Sequence, residues 1–137
     1  MPKSPIHIVW FKRDLRFTDH EPLYRALDSD IPVLLVYFFE PSLIAFPDSD
    51  VRHWRFVHES LMEMRGRLED RNGQLYVFHS EVIPVFQALA SVYDIKTLFS
   101  HEEIGNGLSY QRDKEVVAFC AREKIAWKET PTNGVIR

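Results

Sequence analysis

A chain of 137 residues has the size of one domain built on one core. It is 45% hydrophobic and 27% charged, the composition of an ordinary globular protein, and ten phenylalanines supply ample core material. A formal charge of −3 argues against autonomous nucleic-acid binding, the single Cys120 excludes an internal disulfide, and no apolar run approaches the roughly 20 residues needed to span a bilayer.

Met1-Pro2-Lys3-Ser4-Pro5 leads straight into an apolar run, with no signal peptide, so the expected location is intracellular, and cytoplasmic if the source is bacterial. Residues 6–11 read as the first strand. All but His7 are apolar, which fits a strand covered on both faces. It stops at four charges within five residues, Lys12-Arg13-Asp14-Leu15-Arg16. Asp19 is placed to cap a helix over about 20–28, with Leu23, Ala26 and Leu27 at helical spacing. Residues 31–39 form the second strand, β-branched and aromatic, ended by Glu40-Pro41.

After a loop around Phe46-Pro47-Asp48-Ser49, a helix is predicted over about 50–71. Val51, Trp54, His58, Leu61, Met64 or Arg65, and Leu68 mark its stripe, widened by Phe56 and Val57, and Asn72-Gly73 stops it. Leu75 to Phe78 is the third strand. Residues 82–93 are a helix with Val82, Val85, Phe86, Leu89 and Val92 inward, and 95–99 the fourth strand. A loop with two glycines, Glu102 to Gly107, precedes a helix over 108–124 and a short strand over 125–127. Cys120 falls in this last helix at a position suited to a small buried residue.

Strands alternating with helices predict βαβ crossovers and a parallel sheet covered on both faces. With right-handed crossovers, the expected fold is a Rossmann-like three-layer α/β/α sandwich, five strands in the order 3-2-1-4-5, forming one domain over 1–137. In such sheets ligands bind at the carboxyl edge where the strand order reverses. That reversal lies between strands one and four. It sets Lys12-Arg13-Asp14 across a crevice from His101-Glu102-Glu103.

No glycine follows strand one and no G-x-x-x-x-G-K-[ST] occurs, so dinucleotide and P-loop sites are disfavoured. The Lys12 cluster has two readings: an anion or cofactor contact, or a salt-bridge network tying the first loop to its neighbours. His101-Glu102-Glu103 reads as a solvated loop or as acceptors for a ligand. One His beside two acids makes no metal site. His53 and His58 lie five apart and do not form the i, i+4 zinc pair, and no serine has a hydrolase-elbow context. Phe39, Phe46, Trp54 and Phe56 either line a ring-binding pocket or are core. No catalytic residue and no metal ligand is assigned.

The opening stretch Val9-Trp10-Phe11-Lys12-Arg13-Asp14-Leu15-Arg16, followed by Asp19-His20-Glu21-Pro22-Leu23, resembles the start of the photolyase/cryptochrome family. That family opens on a strand ending Trp-Phe-Arg-Arg-Asp-Leu-Arg and a helix start of the form Asp-Asn-Pro-x-Leu. Lys12 replaces the first Arg, and His20-Glu21 the single Asn. Val33 to Pro41, Arg52 to Leu61, Gln74 to His79, the Arg112-Asp113 pair, Trp127-Lys128-Glu129 and Asn133 to Arg137 resemble later family segments in order and spacing.

The resemblance implies the amino-terminal α/β domain of a longer protein. That domain holds a light-harvesting antenna, a folate, a deazaflavin or a flavin. A following helical domain binds FAD, and in photolyases it splits pyrimidine dimers flipped out of damaged DNA, a carbon–carbon lyase reaction. The expected partners are that helical domain and, through the parent protein, damaged DNA; no membrane is expected. By itself this domain would not be an enzyme. The implied antenna contacts are Lys12, Arg13, Asp14, Glu40, Arg55, Glu102 and Glu103. Two alternatives stand beside a photolyase parent: a cryptochrome light sensor, and a stand-alone nucleotide-binding module of the universal-stress-protein type.

Overall fold

Along the described residues strands alternate with helices, two helices standing between the second and third strands. The computed structural model describes residues 2–12, 20–44, 51–69, 75–102 and 107–131. In chain order these are β1 (Ser4–Phe11), α1 (Glu21–Leu27), β2 (Val33–Phe38), α2 (Pro41–Ile44), α3 (Val51–Glu69), β3 (Leu75–Phe78), α4 (Val82–Val92), β4 (Tyr93–His101), α5 (Gly107–Glu123) and β5 (Ala126–Thr130). The five strands form one sheet in the order β3-β2-β1-β4-β5, and every neighbouring pair is parallel. The expected fold class and strand order are those observed.

The alternation of side chains in β1 explains the three layers. Ile6, Ile8 and Trp10 point to one face and join Phe38, Phe86, Leu98, Val116 and Phe119, so that α4 and α5 cover that side. Val9 and Phe11 point to the other face, where Leu23, Ala26, Val57, Leu61 and Met64 bring α1 and α3. A strand apolar at every position from Ile8 to Phe11 is thereby dry on both sides. A fully buried Phe86 or Leu61 contributes about 1.5–3 kcal/mol relative to an exposed one.

Several expectations change. The cap of α1 is His20, whose Nδ1 accepts the Leu23 N–H at 3.2 Å; the expected Asp19 lies outside the described residues. Leu27, Phe56 and Val92, all predicted inward, are more than half exposed, and His58 is exposed too. Leu27 and Val92 are the final residues of their helices, where the stripe has already turned outward. Phe56 and His58 flank Val57, and at 100° per residue only Val57 faces the sheet. A short helix, α2, occupies the start of what reads as a loop. Pro41 opens it with φ already suited to a helix, and the Leu43 and Ile44 N–H groups both donate to the Glu40 carbonyl at 3.0 Å. β4 and β5 run longer than predicted, because each is paired to its end: His101 opposite Thr130, with the Glu102 N–H donating to the Thr130 carbonyl at 2.8 Å.

Candidate functional site

All five strands run the same way, so Lys12, Glu40, His79, Glu102 and Pro131 leave the sheet along one edge. The buried polar side chains concentrate there. His20, Glu40, Ser100, His101, Ser109 and Thr130 all lie at or beside that edge. Buried polar groups cost free energy unless they are satisfied, so their gathering at one edge marks it as the part of the molecule where something other than stability is at stake.

Strand alternation divides the edge into two halves. On the α5 side, Lys12 follows Trp10 and Glu40 follows Phe38 by two residues, so both continue the same face. Arg112 and Asp113, in the first turns of α5, reach down to them. The Lys12 Nζ donates to the Asp113 Oδ2 at 3.3 Å, the Arg112 Nε lies 3.3 Å from the Asp113 Oδ1, and the Arg112 Nη1 lies 3.5 Å from the Glu40 Oε1. The four side chains are only 5%, 15%, 10% and 6% exposed for Lys12, Asp113, Arg112 and Glu40. Among the described residues, two cations and two anions therefore sit together largely out of water.

Beneath them lies an aromatic floor. The Lys12 Nζ stands 4.3 Å from the centre of the Trp10 ring and 5.4 Å from that of Trp127, and the Arg112 Cζ 4.8 Å from Trp10. Trp10 and Trp127 stack with centroids 6.0 Å apart, and the Trp127 indole N–H donates to the Ser100 hydroxyl at 2.9 Å. The cations are thus held over ring faces, where the quadrupole attracts them. Glu129, on the same face of β5, has its carboxyl pushed above the usual range. Burial is the main cause, Asp113 and Glu102 add to it, and Lys12 opposes it.

On the α1 side the described core of the edge is aromatic. Phe11, His20 and His101 meet there: the His20 ring is 4.7 Å from the rings of both Phe11 and His101. Toward β3, Phe39 stacks on His79 at 5.0 Å and leans on Trp54 at 6.1 Å. The Glu81 carboxylate accepts from both the Ser42 N–H at 2.9 Å and its hydroxyl at 2.8 Å, which ties the segment after β2 to the segment after β3.

Lys12 and Glu40, named from the sequence, are thus brought together through Arg112 and Asp113. Glu102 is exposed at the end of β4, on the Lys12 and Glu129 side. Arg55 is exposed on α3, one residue beyond the Trp54 that contacts Phe39. Arg13, Asp14 and Glu103 lie outside the described residues, as do Phe46, Gly105 and Asn106. Of the aromatic set, Phe39 and Trp54 pack together while Phe56 points to solvent. Sequence reasoning missed His20, Ser100 and Trp127. The signal for Trp127 was present: Trp10-x-Lys12 and Trp127-x-Glu129 share the two-residue period of strands on either side of β4. Among the described residues no group of three or more His, Cys, Asp or Glu is arranged to hold a metal ion, and no helix is long and apolar enough to cross a membrane.

A parallel five-stranded sheet with its polar edge at the β1/β4 reversal defines a Rossmann-like domain. The sequence profile described as DNA photolyase matches residues 7–137, and the chain belongs to that family. It is 31% identical to cryptochrome DASH of Synechocystis sp., over 73% of this chain and 22% of that protein. It is 30% identical to the chloroplastic/mitochondrial cryptochrome DASH of Arabidopsis thaliana, over 72% and 18%. Among solved structures, a Synechocystis cryptochrome superposes with a TM-score of 0.80 at 26% identity, covering 94% of this chain and 28% of that one. A bacterial class III photolyase from Agrobacterium tumefaciens superposes at 0.77 with 24% identity, covering 96% and 26%, a likeness of fold. The chain spans about a fifth of the length of the curated relatives it matches.

Proposed function

We propose that this domain is the amino-terminal, antenna-binding part of a longer light-dependent flavoprotein. The observation that supports this most is the charge-closed, aromatic-floored edge at the β1/β4 reversal. An antenna passes on excitation energy, which requires no acid, base or nucleophile from its host. It requires a rigid seat with aromatic and apolar walls and a few polar groups that fix orientation. The Lys12–Asp113–Arg112–Glu40 quartet supplies rigidity, Trp10 supports it from beneath, and the partly exposed Trp127 is the aromatic surface offered to the pigment.

In this reading the flat pigment is a folate, a deazaflavin or a flavin. Lys12 and Glu40 frame its seat, Glu102 lies beside it after β4, and Arg13, Asp14, Arg55 and Glu103 join them only on the resemblance to the family. FAD, the reaction on pyrimidine dimers and the contact with damaged DNA belong to a helical domain of the same parent protein. The test is an absorption and fluorescence-excitation spectrum of the full-length protein. A pigment band distinct from FAD, lost on Trp127→Ala with FAD retained, is the expected result. FAD with no second pigment overturns the antenna role.

A cryptochrome parent is favoured by the names of the relatives at 30–31% identity. Light-driven loss of pyrimidine dimers from DNA by the full-length protein supports the photolyase reading, and its absence supports the sensor.

A further inference from the structure

The α1 side of the edge carries a feature that antenna binding does not use. His20 is fully buried, and its Nδ1 accepts the N–H of Leu23 at 3.2 Å as the N-cap of α1. Caps of this kind are usually Ser, Thr, Asp or Asn, whose oxygens accept at every ordinary pH. An imidazole nitrogen accepts only while it carries no proton. The geometry therefore fixes the tautomer: Nδ1 bare, the proton on Nε2. We propose that the His20 cap is a proton-sensitive latch on α1, which loosens from the sheet when the imidazole charges.

β1 presents the Phe11 ring at 4.7 Å and β4 the second buried imidazole, His101, at 4.7 Å. β5 presents Thr130 opposite His101, with Lys128 two residues back on the same face. α1 itself carries Glu21 and Arg25, which are exposed and lie 3.9 Å from one another. Lys12 points to the opposite side of the sheet, to Asp113. A proton on Nδ1 turns the acceptor into a donor facing the Leu23 N–H.

α1 is held by its cap and by a small apolar face. It has seven residues, and it buries Pro22, Leu23 and Ala26. A helix that short depends on its cap and its packing, not on propensity. Loosening α1 uncovers Phe11 and His101 beside the β1/β4 reversal without touching the charged quartet on the far face.

Amide hydrogen exchange of the 137-residue chain, followed by NMR from about pH 8 down to about pH 5 and converted to protection factors, tests the proposal. Protection at Leu23 is expected to fall on the order of tenfold on acidification relative to Val9 at the centre of β1, matching the loss of one cap. In His20→Asn, which keeps an accepting cap that does not titrate, the ratio of Leu23 to Val9 should stay level. Leu23 tracking Val9 at every pH in the wild type, or an equal fall in His20→Asn, overturns the latch. If His20→Asn does not fold, the wild-type nitrogen shifts decide: a protonated Nδ1 on His20 at the alkaline end rules the proposal out, and a bare Nδ1 that gains its proton as Leu23 loses protection sustains it.

Discussion

Arg112 lies between two carboxylates, Glu40 and Asp113, and all three are at most 15% exposed. Taking its charge away leaves two anions in a poorly solvated place, with Lys12 the remaining cation of the described group. Breaking a buried pair in this way costs about 3–5 kcal/mol, far more than an exposed pair such as Arg67–Glu63 at 3.0 Å, worth about 0.3–0.5 kcal/mol. Arg112→Ala should therefore lower the urea midpoint sharply. Arg112→Met combined with Glu40→Gln, which removes one charge of each sign, should cost clearly less; equal losses for the two variants would mean the quartet is not electrostatically coupled. Arg55→Ala, on the exposed face of α3, should stay within about 0.5 kcal/mol of wild type in the same assay. Cys120 is a different residue-scale case. Burial pushes its thiol up to about 11, so almost no thiolate exists at neutral pH. A thiol-exchange reagent should leave it unmodified in the native protein and label it once denaturant is added.

At the scale of elements, α3 shows what the pattern in a sequence carries and what it loses. Of the stripe read through Trp54, His58, Leu61, Met64 or Arg65 and Leu68, Leu61 and Met64 are buried, whereas His58 is exposed and its neighbour Val57, read only as widening the stripe, takes the inward place. Phe56 belongs to the same apolar run and is 67% exposed, because side-chain type does not say on which edge of the stripe a residue falls. Leu61→Ala should cost about 2–5 kcal/mol while Phe56→Ser costs almost nothing, measured as paired denaturant midpoints. Strand order was legible for a related reason: β1 is apolar on both faces, which places it in the middle of the sheet. The cap of α1 was not legible, since histidine is a rare cap and an acid precedes it. The linkage of Lys12 to Glu40 was not legible either. It runs through Arg112 and Asp113, some 70 and 100 residues away in the chain, and no local rule joins such distant charges. The end of α5 shows a further local conflict. Lys124 adopts a left-handed φ of 60° so that the Ile125 N–H can donate to the Cys120 carbonyl at 2.9 Å. Glycine takes that conformation without strain, so Lys124→Gly should stabilise the protein by about 0.5–1 kcal/mol, read from the same denaturant curves.

The molecule as a whole feels pH through groups that fold into the sheet. His7 is buried in β1 with the Phe99 ring edge-on at 5.4 Å, and burial, aided by the positive Lys128, holds its imidazole below the ordinary 6.5. The unfolded chain then takes up a proton at this site as pH falls through 6.5, while the folded chain resists until the pH is lower. The unfolded state binds more protons in that window, so the His7 contribution is complete above 6.5 and is lost as pH falls toward the depressed folded value. Glu129 works in the opposite sense. Its carboxyl is raised above 4.5, so its contribution is present below 4.5 and lost as pH rises through the raised value, and at neutral pH the ionised group is a cost. Because Glu129 is exposed as a residue, water screens that cost and keeps it the smaller of the two. Urea midpoints taken between about pH 8 and 5 should therefore fall on acidification in the wild type. His7→Gln should flatten that fall, and Glu129→Gln should raise the midpoint at neutral pH while leaving the acid limb in place. An acid limb equally steep in His7→Gln would place the proton uptake elsewhere and remove His7 from the account.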